Sequence, residues 1–117
     1  MSELTISNQS TTSKIGWGLL VFIAVSNILG HIGLAIFESG PDTVFIAWAT
    51  FNLLAAIILF IPYRRNERWA WVAISLTVIP FALVIFSNPE IGPIYLAEGA
   101  IIVLGQALTY GAFFGKG

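Results

Sequence analysis

The sequence predicts an all-α membrane protein, a four-transmembrane-helix antiparallel bundle, and three observations support this fold class. Hydrophobic residues make up 57% of the 117 residues and charged residues only 9%, against about 25% charged residues in ordinary globular domains. Four long apolar runs divide the chain, and a helix needs about 20 such residues to cross a hydrocarbon core. Short loops join the runs, so neighbouring helices must be antiparallel.

The composition also excludes several functional classes. Five Lys and Arg with six Asp and Glu, a net charge of −1, supply neither a water-soluble surface nor a basic face for nucleic acid. The mean hydropathy is +0.89. The absence of cysteine removes disulfides, thiolate nucleophiles, cysteine metal sites and thiol redox chemistry.

Each apolar run has a length typical of a membrane-spanning helix, because backbone groups in lipid must be satisfied within the segment. Residues 1–13 are rich in Ser, Thr, Asn and Gln and predict a flexible tail. Residues 14–117 predict the transmembrane domain, whose four spans are 15–37, 43–61, 69–86 and 94–114.

Turn-forming residues mark the loops, and small residues mark expected helix contacts. The loops at 38–42, 62–68 and 87–93 contain Pro, Gly, Asn or Ser. Pro80 predicts a kink in the third span. Two small-residue pairs permit close packing, either within the chain or in a dimer: Ser26 with Gly30, and Gly111 with Gly115.

The distribution of positive charge predicts the orientation. In a four-span chain the N-terminal tail, the middle loop and the C-terminal tail share one side. That side carries all five basic residues: Lys14, Arg64, Arg65, Arg68 and Lys116. The positive-inside rule therefore predicts the cytoplasmic (inner) membrane with both termini in the cytoplasm. Arg64, Arg65 and Arg68 are the expected topology anchors at the lipid headgroups.

Aromatic residues near the span ends fit two interfacial belts. Trp48 and Tyr95 are expected near the outer face, and a second group near the inner face: Trp17, Tyr63, Trp69, Trp71 and Tyr110.

Polar residues inside the spans are the candidates for chemistry. Asn27 and His31 share one face of the first helix, and Glu38 continues that stripe. Glu98 is the one acid within the fourth span, and ionisable residues in a span cost energy. At about 1.5 Å per residue, His31 and Glu98 lie roughly 9 and 6 Å below the outer helix ends. These four residues form the candidate ligand or proton site, and the alternative is that they only join helices.

Three further polar residues predict hydrogen bonds between helices: Asn52, Gln106 and Thr109. Their alternative role is to line a polar cavity. One histidine with carboxylates can bind a divalent ion, but no metal-binding spacing such as H-x-x-x-H occurs. No catalytic motif, metal site or cofactor site is therefore predicted, which argues against an enzyme.

The segment PYRRNERWAWVAI at 62–74 resembles small four-span membrane proteins of bacteria and archaea that have no characterised activity. The resemblance covers about a dozen residues and implies a fold and a location. Length and span count are also similar to small multidrug-resistance transporters, but those carry their essential acid in the first helix. Four-span quinone-linked thiol oxidoreductases need cysteines, which this chain lacks.

The sequence leaves three functional hypotheses. The first is an accessory or packing subunit, in the lipid bilayer, of a homo-oligomer or a larger membrane complex. The second is a proton-linked or small-ligand binding or transport module that uses Glu98 and His31. The third is a membrane enzyme that uses the same pair.

Overall fold

A computed structural model describes residues 10–37 and 42–115, which contain helices and turns but no strand. The helices are α1 (Thr11–Phe37), α2 (Asp42–Phe60), α3 (Arg68–Leu76), α4 (Val78–Ser87) and α5 (Gly92–Phe114), with a short 3₁₀ turn at Tyr63–Arg65. Helices α3 and α4 together form the third span, so four helical segments are long and apolar enough to cross a membrane. This bundle, 53 × 24 × 21 Å, confirms the predicted fold class.

Helix α1 begins at Thr11, inside the predicted tail and before the predicted span start at Ile15. The side chain of Ser10 explains the earlier start, because its Oγ accepts a hydrogen bond from the Ser13 backbone N–H at 3.3 Å. A serine in this position satisfies one of the unpaired N–H groups at a helix N-terminus. The rest of the predicted tail, residues 1–9, lies outside the described residues.

The third span is interrupted near its middle. Helix α3 ends at Leu76, and α4 begins at Val78. Thr77 forms a tighter turn in which its N–H bonds the Ile74 carbonyl at 3.0 Å. Pro80 lies three residues further on and has no N–H to donate to the preceding turn. The interruption accordingly falls where the proline predicted a kink.

Helix α1 packs against α2 and α5, and these two helix contacts are the most extensive in the bundle. The closest approach to α5 is at Gly16 and Gly105. A Cβ at Gly105 would lie 2.9 Å from the Gly16 carbonyl oxygen and 2.7 Å from Leu20 Cγ. By contrast, a Cβ at Gly30 or Gly111 would have no neighbour within 4 Å. Gly30 and Gly111, one member of each small-residue pair, therefore make no close helix contact within the described residues.

One end of the bundle, here named the basic end, carries the described positive charges. Arg64 lies over the Trp17 ring, 5.5 Å from its centroid, and Arg68 donates to the Phe113 carbonyl. These contacts bring the start of α1, the loop between α2 and α3, and the end of α5 together, with Lys14 and Arg65 beside them. Lys116 lies outside the described residues.

Much of the apolar surface faces outward. In each span, at most 33% of the most apolar 18-residue stretch is buried inside the bundle. Large side chains such as Phe22, Leu29 and Phe86 are between 62% and 85% exposed. Apolar surface of this extent needs lipid or another protein around it.

Candidate functional site

The structure brings Asn27, His31 and Glu98 together in a cluster away from the basic end, here named the His31 network. Its members are Asn27 and His31 on α1, Trp48 on α2, and Tyr95 and Glu98 on α5. Asn27 and His31 are buried, whereas Glu98 is partly exposed. The fourth predicted member, Glu38, lies outside the described residues.

Asn27 uses both ends of its amide. Its Oδ1 accepts a hydrogen bond from Trp48 Nε1 at 3.0 Å, and its Nδ2 donates to the Ile23 carbonyl at 3.0 Å. The Glu98 carboxyl lies close to the same side chain. Asn27 therefore links α1 to α2, and its buried polar atoms are satisfied.

His31 bridges α1 and α5. Its Nδ1 lies 2.8 Å from the Asn27 carbonyl oxygen, and its Nε2 lies 3.1 Å from the Tyr95 hydroxyl oxygen. A carbonyl oxygen only accepts, so Nδ1 must carry a proton. In the neutral ring Nε2 then accepts from the tyrosine hydroxyl, and in the charged ring it donates to it. Tyr95 can serve both states, because a hydroxyl is both a donor and an acceptor.

Aromatic rings surround this network. The Trp48 ring lies between 5.3 and 5.8 Å, centroid to centroid, from the rings of His31, Phe81 and Tyr95. Trp48 and Tyr95 thus lie within the bundle contacts rather than only in an interfacial belt. The sequence could have indicated this placement, because a buried indole N–H or phenol O–H needs a hydrogen-bond partner.

A second network near the basic end, here named the Tyr63 network, joins three helical segments. The Tyr63 hydroxyl donates to Gln106 Oε1 at 2.5 Å and lies 2.6 Å from Thr109 Oγ1. Gln106 Nε2 donates to the Trp71 carbonyl at 2.7 Å and to Ser75 Oγ at 2.5 Å. Gln106 and Thr109 therefore make hydrogen bonds between helices.

Tyr63 differs from its expected place in an interfacial belt. Its side chain is 0% exposed and packs on the Phe113 ring at 4.6 Å between centroids. The 3₁₀ turn after α2 folds the chain back and places Tyr63 inside the bundle. The position of Tyr63 beside a loop suggested the interfacial belt. The buried Gln106 amide and Thr109 hydroxyl need hydrogen-bond partners, however, and the Tyr63 hydroxyl is one.

Asn52 also differs from expectation. Its Nδ2 donates to the Trp48 carbonyl in its own helix at 3.0 Å, and no hydrogen bond to another helix is recorded for it in the part of the chain described. The side chain is 2% exposed and borders a cavity of about 20 Å³ that Thr77 also lines. A cavity of that size is large enough for about one water molecule.

The three arginines predicted at the lipid headgroups have different partners. Arg64 covers Trp17, and Arg65 lies 4.0 Å from Glu67 in an exposed ion pair. Arg68 Nε donates to the Phe113 carbonyl at 3.1 Å, and its guanidinium lies 5.5 Å from the centroid of the Phe114 ring.

Within residues 10–37 and 42–115, His, Asp and Glu side chains form no group of three that could hold a metal ion. His31 and Glu98 are brought near each other, and Tyr95 and Asn27 lie with them. This arrangement can hold and pass a proton, because the imidazole, hydroxyl and carboxyl each exchange one.

Comparison with known proteins identifies no relative. No protein-family model, curated protein or solved structure matches the chain.

Proposed function

We propose that this chain is a small integral membrane protein of the cytoplasmic membrane, with both termini in the cytoplasm, that acts as an accessory or packing subunit of a larger membrane complex. The observation that carries the proposal is the separation of polar side chains inside the bundle from apolar side chains on its outside. The hydrogen bonds of the buried polar groups are made inside the bundle, whereas large apolar side chains cover its outside.

Grooves in the outer surface add support. One groove of about 430 Å³ lies between α1 and α2 and is lined mainly by Ile, Leu and Ala. Such a surface can receive apolar side chains of a neighbouring helix, and small side chains such as Ala49 and Ala35 allow close approach. Four helices long enough to span a membrane and the positive charges at one end support the location.

A second candidate function is a proton-linked or small-ligand binding module that uses Glu98 and His31. The observation favouring it is that the Glu98 carboxyl lies near Asn27 and His31, and that His31 contacts the Tyr95 hydroxyl. Glu98 is partly exposed, so it can meet a ligand or proton from outside the bundle.

Native mass spectrometry of gently extracted protein distinguishes the two. We compare the wild type with Glu98→Gln, using Glu90→Gln as the matched control because Glu90 is exposed and lies outside both networks. A stoichiometric partner protein that survives both substitutions supports the accessory subunit.

The opposite pattern contradicts the accessory role. A chain that carries no partner protein but holds a small molecule or metal ion, lost in Glu98→Gln and kept in Glu90→Gln, supports the binding module instead. A chain that carries neither a partner nor a ligand contradicts both functions.

A further inference from the structure

A long groove runs along the outside of α3, α4 and α5. Its volume is about 640 Å³, within the range of about 300–1,000 Å³ typical of ligand pockets. Trp71 and Tyr110 line it towards the basic end, and Val78 and Val103 line it towards the middle of the bundle. Trp71 and Val78 are seven residues apart, as are Val103 and Tyr110, so the groove extends about 10 Å along the bundle.

The floor of the groove offers hydrocarbon rather than hydrogen bonds. Of the polar groups that line it, Ser75 and Gln106 bond each other, the Trp71 carbonyl and Tyr63, and the Trp71 indole N–H donates to the Gln106 carbonyl. Because these groups are already satisfied, an occupant gains little from polar atoms along the floor. A flexible apolar chain fits this surface best.

An arginine lies near the basic end of the groove, one aromatic ring beyond its lining residues. The Arg68 guanidinium covers the Phe114 ring, and that ring contacts Trp71 and Tyr110 at centroid distances of 5.3 and 5.0 Å. The hydrogen bond from Nε to Phe113 holds the side chain in place. The Arg68 side chain is exposed, and in the described part of the chain no carboxylate pairs with it.

We infer that the groove and Arg68 together bind one anionic phospholipid from the leaflet at the basic end. One acyl chain lies in the groove, and the headgroup phosphate accepts hydrogen bonds from the terminal nitrogens of Arg68. A guanidinium matches a phosphate in both charge and geometry. The inference rests on the proposed insertion in a membrane and is independent of any partner subunit.

The other two arginines are less suited to this role. Arg65 is paired with Glu67, and Arg64 lies over the Trp17 ring of α1. This difference supplies a matched control, because Arg65→Gln removes the same charge from the same end of the bundle.

The test measures lipid binding by native mass spectrometry of delipidated protein titrated with phosphatidylglycerol or phosphatidylcholine of identical acyl chains. We expect one phosphatidylglycerol per chain, bound about tenfold more tightly than phosphatidylcholine, because the choline ammonium of the latter offsets the charge of the same phosphate group. Arg68→Gln removes this preference, whereas Arg65→Gln keeps it. Equal loss in both arginine variants, or equal binding of the two lipids by the wild type, overturns the inference.

A second pair of variants tests the groove. Ala107 lines it, and leucine there fills part of the space. Ala100 is exposed on the same helix outside the groove and serves as the control. Ala107→Leu lowers the binding of both lipids severalfold, and Ala100→Leu leaves it unchanged. If Ala107→Leu alters self-association and leaves lipid binding intact, a second copy occupies the groove and the inference is wrong.

Two further controls separate the possible failures. Soluble glycerol phosphate binds far more weakly than the intact lipid if the acyl chain contributes, and equal binding contradicts the groove. Resistance of each variant to alkaline extraction from membranes reports insertion. Failure to insert contradicts the membrane proposal, whereas normal insertion without an Arg68 preference contradicts only the lipid site.

Discussion

Single side chains hold the bundle together through a small number of directed bonds. Asn27 connects α1 with α2, and Gln106 connects α5 with the turn after α2 and with α3. Between membrane helices such bonds contribute on average about 0.6 kcal/mol each. These bonds also select one packing of the helices, because any other packing would leave the buried polar atoms without a partner.

His31 gives the sharpest prediction at this scale. The Asn27 carbonyl can only accept a hydrogen bond, so the neutral ring must carry its proton on Nδ1. Because the chain contains a single histidine, ¹⁵N NMR of labelled protein reports this ring without assignment. We expect the Nδ1–H tautomer when the ring is neutral.

Tyr95→Phe serves as the comparison. It removes the partner of Nε2, so the Nε2 resonance moves while the tautomer stays the same. A neutral ring protonated on Nε2 in the wild type would contradict the geometry of the His31 network.

The helices are positioned by close contact as much as by hydrogen bonds. Helices α1 and α5 approach at Gly16 and Gly105, where Leu20 fills the space beside the glycine. The interruption at Thr77 lets the third span follow α5 along two differently directed segments. Both features depend on residues that lack a side chain or an N–H, so they are sensitive to substitution.

Gly105→Ala tests the helix crossing. The added methyl group would lie 2.7 Å from Leu20 Cγ and 2.9 Å from the Gly16 carbonyl oxygen. We expect a loss of about 1–3 kcal/mol in the free energy of unfolding, typical of overpacking. The measurement is reversible unfolding by SDS in mixed micelles, followed by tryptophan fluorescence.

The same substitution at Gly111 is the control, because a Cβ there has no neighbour within 4 Å. Alanine in place of an exposed helical glycine should stabilise by about 0.5–1 kcal/mol. Equal effects at the two positions would show that α1 and α5 do not cross at Gly105.

The molecule as a whole is an elongated bundle with unequal ends. Its longest dimension, 53 Å, exceeds the roughly 40–45 Å of a bilayer with its headgroups. The basic end gathers arginines and aromatic rings, whereas Asn88 and Glu90 lie at the opposite end. This asymmetry supports the proposed orientation, in which the basic end faces the cytoplasm.

Cysteine labelling tests that orientation, since the chain has no native cysteine. Thr12 lies at the basic end and Asn88 at the other, and both are exposed. In intact cells a membrane-impermeant maleimide should label Asn88→Cys and leave Thr12→Cys unlabelled. Opening the membrane should make Thr12→Cys reactive. The reverse pattern would contradict the proposed cytoplasmic position of the basic end.

Sequence patterns alone predicted the four spans, their antiparallel order and the position of the break near Pro80. These features follow from local properties: the length of apolar runs, the turn residues between them and the missing N–H of proline. They also identified Asn27, His31 and Glu98 as candidate site residues, because polar and ionisable groups inside an apolar span cost free energy unless they are paired.

Only the tertiary structure decided which polar groups meet. Sequence spacing placed Asn27 and His31 on one face, but not the indole of Trp48 or the hydroxyl of Tyr95 beside them. The position of Tyr63 near a span end predicted a place in the interfacial belt, whereas the turn after α2 buries it against Gln106. The apolar pattern of a membrane helix is nearly uniform around its circumference, so the pattern determines that a helix spans but not which face it turns to its neighbours.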